Sequence, residues 1–410
     1  MKSVSFMAGF FGTLRAVFLI GSLVISSATI TFQATHQAAA SQSNTEPVFQ
    51  KGMSYTTYAN MTPGVIGSAE SVESLKRMKQ IGVEWVGINV VGWYQSDKYS
   101  VDIHRNSSQA PSDGALASAI QTCHNLGIKV MLKPMIDLED GVWRGEIQPS
   151  SNWFENYTSY IDFFAGFAEQ HGVEMLCIGS ELTATVTWES EWRNIISSVR
   201  QRYQGPLTYA AIWWKEYDES VQWWDALDYV GIDAYFPLSS ENDPTINEMK
   251  ATWDSVASLL QVFYEEVKKP IIFSEIGYLS TDGTSRDPSN YKLQNAPNRM
   301  IDLQEQADCY EATFQALWDT TWLYGFYWWY WQPDPDAGGP NNSDYTPQNK
   351  PAQGVLAHWY SLDWHPAIDH AIDYARLLIY GILVVVIFEA TVIAYLWRRR
   401  NSISPREHTT

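Results

Sequence analysis

Cysteine is scarce in this 410-residue chain, which has only Cys123, Cys177 and Cys309. An odd and widely spaced set builds no disulfide framework and fits no zinc-ligand spacing. Basic residues are also few, 27 Lys and Arg against 46 Asp and Glu, for a formal charge of −19. That balance excludes the basic face that a phosphate backbone needs, and with it a nucleic-acid partner. The 8 His are scattered without metal spacing, so no metal or other cofactor is expected. A glycine-rich phosphate loop is missing too. The first strand-like run, residues 52–59, leads into Asn60-Met61-Thr62-Pro63-Gly64, which argues against an open nucleotide-binding sheet. No low-complexity break interrupts residues 51–361, which read as one domain.

Aromatic residues are plentiful, with 19 Trp and 23 Tyr. The number looks too large for core packing alone. Sugar-binding proteins use flat aromatic faces because the C–H groups of a pyranose stack on them, and several Trp here fall near the ends of apolar runs.

Both chain ends are apolar. Residues 1–40 carry Lys2 and Arg15, an apolar run over 16–32, and Ala38-Ala39-Ala40 before Ser41. This pattern reads as a cleaved signal peptide, or alternatively an uncleaved signal anchor. A polar linker spans 41–50. Beyond a juxtamembrane linker at 362–376, residues 377–397 form a run long enough to cross a bilayer as a helix, although Glu389 falls within it. Arg398, Arg399 and Arg400 follow, which places the tail 398–410 in the cytoplasm and the large domain outside it, held at the cell membrane by one pass or two.

Within 51–361, apolar runs alternate with helical periodicity. Strands are expected at 52–59, 84–91, 129–136, 174–179, 207–213, 229–235, 271–276 and 325–331. Amphipathic helices are expected at 68–80, 153–170, 189–202, 246–267 and 303–321. Gly82, Gly127 and Gly172 each fall between a helix and the next strand, where C-terminal caps belong. Eight βα units in this length predict a closed α/β (β/α)8 barrel, a TIM barrel.

Catalytic groups of such barrels sit at the C-terminal ends of the strands. Strand by strand, those positions hold Asn89 and Trp93; Lys133 and Asp137; Ser180 and Glu181; Trp213 and Trp214; Asp233 and Tyr235; Glu275; and finally Trp328, Trp329 and Trp331. Glu181 and Glu275 follow apolar strands four and seven, which lie nearly opposite one another in an eight-stranded ring. Cleaving a glycosidic bond needs one carboxylic acid to protonate the leaving oxygen, and a second carboxylate to attack the anomeric carbon or activate water. The plain alternative is that one glutamate serves a buried ion pair, with Lys133 or Arg299 as partner. Asp233 is a spare carboxylate at the mouth, placed to meet a hydroxyl or a cation, or simply to bond within the rim.

The wording of residues 178–183, 229–235, 271–278 and 325–331, with the tail Tyr345-Thr346-Pro347-Gln348-Asn349-Lys350-Pro351-Ala352, resembles glycoside hydrolase family 113, the β-mannanase type of glycosidase clan A. The resemblance covers the barrel and leaves out the chain ends. It implies a polysaccharide or oligosaccharide substrate and a retaining mechanism, with Glu181 as acid/base and Glu275 as nucleophile. It also implies that Tyr235 holds the nucleophile and that Trp329 forms the sugar platform, with Trp331 in reserve. Many clan members carry Asn where this chain has Ser180, so Ser180, with Asn89, Trp213 and Asp233, is expected among the sugar contacts. Two other readings stay open: a clan A enzyme that remodels an envelope glycan, and a non-catalytic carbohydrate-binding barrel at the cell surface.

Overall fold

The structure, a computed structural model, describes residues 49–58, 61–214 and 216–364. Eight parallel strands close into the expected barrel. They are β1 (Gln50–Thr56), β2 (Trp85–Gln95), β3 (Lys129–Leu138), β4 (Met175–Ser180), β5 (Leu207–Ile212), β6 (Val230–Asp233), β7 (Ile271–Ile276) and β8 (Leu323–Trp331). Each pairs with its neighbours in parallel, and β1 bonds both β2 and β8, which closes the ring. A two-residue strand, His104–Arg105, adds antiparallel to the end of β2.

The helices are α1 (Ala69–Gln80), α2 (Asp113–Asn125), α3 (Ser151–Gln170), α4 (Glu189–Arg200), α5 (Ile246–Val267), α6 (Leu303–Leu317) and α7 (Pro351–Tyr360). Their starts are written in the sequence. Ser68, Ser112, Ser150 and Asp302 each accept a backbone N–H of the first turn, and Thr245 with Glu248 forms a full capping box. Each such cap contributes about 1 kcal/mol. Gly82, Gly127 and Gly172 take φ of +89°, +67° and +65°, the left-handed turn expected of them.

Periodicity left α2 and α7 out. In α2 the buried stripe is Leu116, Ala119, Ile120 and Cys123, correctly spaced but built partly of small residues. Between β5 and β6 the crossover among the described residues is a π turn, Glu216–Ser220, and a short 3-10 turn, Trp224–Ala226.

Most of the aromatic surplus belongs to the core, which corrects the sugar reading of the composition. Trp153, Trp192, Trp223, Trp253, Trp322, Trp328 and Trp331 are fully buried. They pack where helices cover the barrel: Trp192 stacks on Trp223 with centroids 4.8 Å apart, and Tyr310 on Trp328 at 3.8 Å. A layer inside the barrel is formed by Trp85, Met131, Met175, Cys177, Ala210, Ile272 and Tyr327. Gly52 and Gly87 make room there, since a Cβ on either would stand 2.9 Å or 3.1 Å from the Tyr327 ring. The interior below the mouth is therefore packed, and the functional site must lie above it. All three cysteines are buried and free.

Among the described residues no helix is long and apolar enough to cross a membrane. The apolar runs at 1–40 and 377–397 lie outside the described residues, as do the linkers at 41–48 and 365–376.

Candidate active site

The sheet is irregular where the two glutamates emerge. Along β4 and β5, Cys177 pairs with Thr208 but Ser180 pairs with Ala210, so β4 carries one extra residue. Along β6 and β7, Ile232 pairs with Phe273 but Asp233 pairs with Glu275. Such bulges re-aim side chains. Here Phe273 stays in the outer core, while Ser274 and Glu275 both reach groups inside the barrel. Just past β4, Glu181 has a φ of +54°, and its N–H is held by the Ala210 carbonyl at 2.9 Å.

Glu275 is only 6% exposed. Its Oε1 accepts from Lys133 Nζ at 2.6 Å, and its Oε2 accepts from the Tyr235 hydroxyl at 2.8 Å. Lys133, on β3, also donates to both oxygens of Asp233, at 3.2 and 3.3 Å. Asp233 takes two more hydrogen bonds, from Ser180 at 3.1 Å and Ser274 at 2.9 Å. One ammonium thus serves two carboxylates in a buried layer under the mouth. Burial works against the Lys133 charge, but Asp233 and Glu275 outweigh it and hold its pKa above the ordinary value. Burial, with the charges of Asp233 and Glu181, pushes the Glu275 carboxyl up to about 7, against the opposing pull of Lys133.

Glu181 is half-buried and has a different setting. Its Oε2 accepts from the indole N–H of Trp143 at 3.1 Å. Burial and the Asp233 charge raise its pKa, while Arg144 and the Trp143 hydrogen bond lower it. Trp143 and Arg144 come from the loop after β3. The Trp143 ring is 42% exposed and lies over Gly145, where a Cβ would stand 2.3 Å from the ring. Arg144 bonds Asp137 at 2.5 Å and the Tyr58 hydroxyl at 2.9 Å, and Tyr58 in turn donates to Asp137 at 2.8 Å. Trp329 is half-buried and borders this cluster, its ring centroid 5.9 Å from that of Tyr58. Tyr235, Tyr345, Leu279 and Tyr330 pack together at the other side, with Trp213 and Trp329 against them.

The structure therefore brings Glu181, Glu275, Tyr235, Trp213 and Trp329 to the C-terminal mouth and moves four expected sugar contacts elsewhere. Asp233 is 0% exposed, and its carboxylate is spent on Lys133 and two serines. Ser180 is buried and gives its hydroxyl to Asp233. Asn89 is 1% exposed, pairs in register with Lys133, and bonds the Gly87 carbonyl; its Oδ1 has no partner among the described residues. Trp331 is 1% exposed and its indole donates to Ser74 on α1, so it faces outward. The reason is a slip in the ladder: Met53 pairs with Trp328 but Tyr55 with Trp331. Simple alternation, which placed Trp331 beside Trp329, fails across that extra residue.

By sequence, Lys133 is a strand-end position and the candidate partner in a plain ion pair. That pair exists, while Arg299 bonds Ser343 instead. Trp143, Arg144 and Tyr58 were not foreseen, because nothing in a loop sequence says which side chains fold back over a strand end. Asp137, by sequence a strand-end position and a spare carboxylate at the mouth, is held by Arg144 and Tyr58. Among the described residues no group of His, Cys, Asp and Glu is arranged to hold a metal ion.

The sequence pattern of Glycoside Hydrolase Family 113 matches residues 53–350. A GH113 β-mannanase of Alicyclobacillus acidocaldarius, solved in complex with ManMIm, superposes with a TM-score of 0.68 at 29% identity, over 77% of this chain and 98% of that one. A complex of a GH113 β-1,4-mannanase gives a TM-score of 0.67 at 27% identity, over 77% and 99%. A β-glucuronidase of Ruminococcus gnavus shares the fold at 13% identity, with a TM-score of 0.52. No curated protein sequence matches the chain.

Proposed function

Because the chain belongs to glycoside hydrolase family 113 and so acts on O-glycosyl bonds, we propose that it cleaves β-1,4-linked mannan or manno-oligosaccharide with retention, Glu275 attacking and Glu181 serving as acid/base. One observation carries the division of roles. Glu275 receives an ammonium and a phenol, both donors that favour an anion, whereas Glu181 receives a single indole N–H. Glu275 is therefore the carboxylate built to act as an anion, and Glu181, its carboxyl raised by burial and the Asp233 charge, is the one built to deliver a proton.

In the first step the Glu275 carboxylate bonds to the anomeric carbon while Glu181 protonates the departing oxygen. In the second, Glu181 takes a proton from water, which displaces Glu275 and leaves the anomer of the starting linkage. Tyr235 keeps the nucleophile aimed through its 2.8 Å hydrogen bond. Trp329 supplies a flat face at the mouth for the sugar ring. The mannanase neighbours support mannan as the substrate. Digestion of a polysaccharide panel, with the first-formed anomer read by proton NMR, tests both points. An inverted product, or no cleavage of any β-mannan, overturns the reading.

Two further outcomes follow. Trp329→Ala removes the platform and is expected to lower kcat/KM by about 10–100-fold, the equivalent of losing about 1.5–3 kcal/mol of apolar burial. Steady-state kinetics on manno-oligosaccharides checks it. The pH profile of kcat/KM should be bell-shaped. Its acid limb rises as the coupled Glu275 and Glu181 pair gives up its first proton and its alkaline limb falls as it gives up the second, with burial and the Asp233 charge raising both carboxyls.

The run 377–397 followed by Arg398-Arg399-Arg400 supports a tether that holds this domain outside the cytoplasm at a membrane. Extraction of cell membranes with alkaline carbonate tests it, since a tethered protein stays in the pellet.

A further inference from the structure

Glu216 has no part in the chemistry above, yet it is a fully buried carboxylate at the start of the π turn after β5. Among the described residues its three hydrogen bonds come from neutral groups: the Tyr209 hydroxyl at 2.5 Å, the Thr183 hydroxyl at 2.8 Å and the Ile212 N–H at 3.1 Å. A carboxylate removed from water in this way costs stability that an apolar residue of similar size would not, so packing alone does not account for it.

One of those donors, Thr183, lies on the segment that carries Glu181, and a second, Tyr209, holds that segment through the Leu182 N–H. The left-handed φ of +54° at Glu181 is a backbone state that non-glycine residues hold only when the surroundings enforce it. Three contacts do so in succession. The Glu181 N–H is held by Ala210 at 2.9 Å and the Leu182 N–H by the Tyr209 hydroxyl at 2.8 Å, while the Thr183 hydroxyl bonds Glu216. Because the Tyr209 hydroxyl donates its hydrogen bond to Glu216, the second and third contacts both end on that one carboxylate.

We propose that Glu216 is the positioning residue for the acid/base, clamping residues 182 and 183 so that the Glu181 carboxyl meets the departing oxygen. The inference rests on the assignment of Glu181 made above. Glu216 acts through Tyr209 and Thr183 and touches no substrate.

The test is Glu216→Gln, whose amide nitrogen must face at least one of the three donors. It is assayed beside Glu181→Ala on two manno-oligosaccharide substrates: one with a sugar leaving group, and one with a dinitrophenyl leaving group that departs without protonation. Misplacing the acid should lower kcat/KM by about 10²-fold on the first substrate and by under about threefold on the second, with KM and melting temperature nearly unmoved. An equal fall on both substrates, or no fall, overturns the proposal. Thr183→Val removes one donor in near-isosteric form and covers the case that Glu216→Gln does not fold. It should show the same split, smaller in size, and its absence also overturns the proposal. If Glu181→Ala itself shows no dependence on the leaving group, the assignment of Glu181 falls and this inference with it. If Glu181→Ala shows it and the other variants do not, only the clamp falls.

Discussion

Glu275→Gln is expected to abolish hydrolysis, lowering kcat/KM on β-mannan on the order of 10⁴–10⁶-fold, while the protein stays folded. Gln fills the same volume, and its carbonyl oxygen can still accept from Lys133. That lysine also keeps both of its hydrogen bonds to Asp233. The substitution therefore leaves no buried charge unpaired and removes only the nucleophile. An unchanged melting temperature together with lost turnover is the expected pair of results. Full residual activity would end the assignment, and the chain would then need another carboxylate. Asp233 is a poor candidate, sealed in the barrel and already holding a lysine and two serines.

Lys133→Met should act differently, on stability and on pH dependence at once. Met matches the lysine stem in bulk but leaves the carboxylates of Glu275 and Asp233 facing each other without a cation. Breaking a buried pair from one side costs about 3–5 kcal/mol, reduced here to the extent that one carboxyl takes up a proton. The sign for activity follows from the same charges. Lys133 pulls the Glu275 pKa down, so its removal lets burial and Asp233 drive it above about 7. The acid limb of the kcat/KM profile moves to higher pH, and the loss of activity is greatest on the acid side. Adding Asp233→Asn removes one of the stranded charges and should restore part of the stability without restoring the rate. Denaturant unfolding and pH–rate profiles of the single and double variants check both parts. An acid limb that does not move would show that Lys133 does not set the ionisation of Glu275.

Much of the barrel was legible in the chain. Helix ends are spelled out by Gly82, Gly127 and Gly172, because left-handed turns are local chemistry. Strand order follows once eight βα units are counted, since right-handed crossovers leave little choice. The two glutamates stand out because a carboxylate that closes an apolar run is unusual wherever it occurs. Composition misled in one respect: stacks such as Trp192 on Trp223 show that most of the aromatic surplus fills the space between barrel and helices.

Local sequence thus determined the elements, their order and the strand ends at which chemistry would lie. Only the closed tertiary structure decided which side chains at those ends meet. Bulges on β4, β7 and β8 shift the alternation by one residue, turning Trp331 outward. The loop after β3 folds Trp143 and Arg144 over the mouth, and Lys133 is shared between two carboxylates on other strands. These contacts join residues as far apart as Lys133 and Glu275, and their energy depends on burial and mutual distance. Both quantities come into existence only when the ring closes and water leaves its interior.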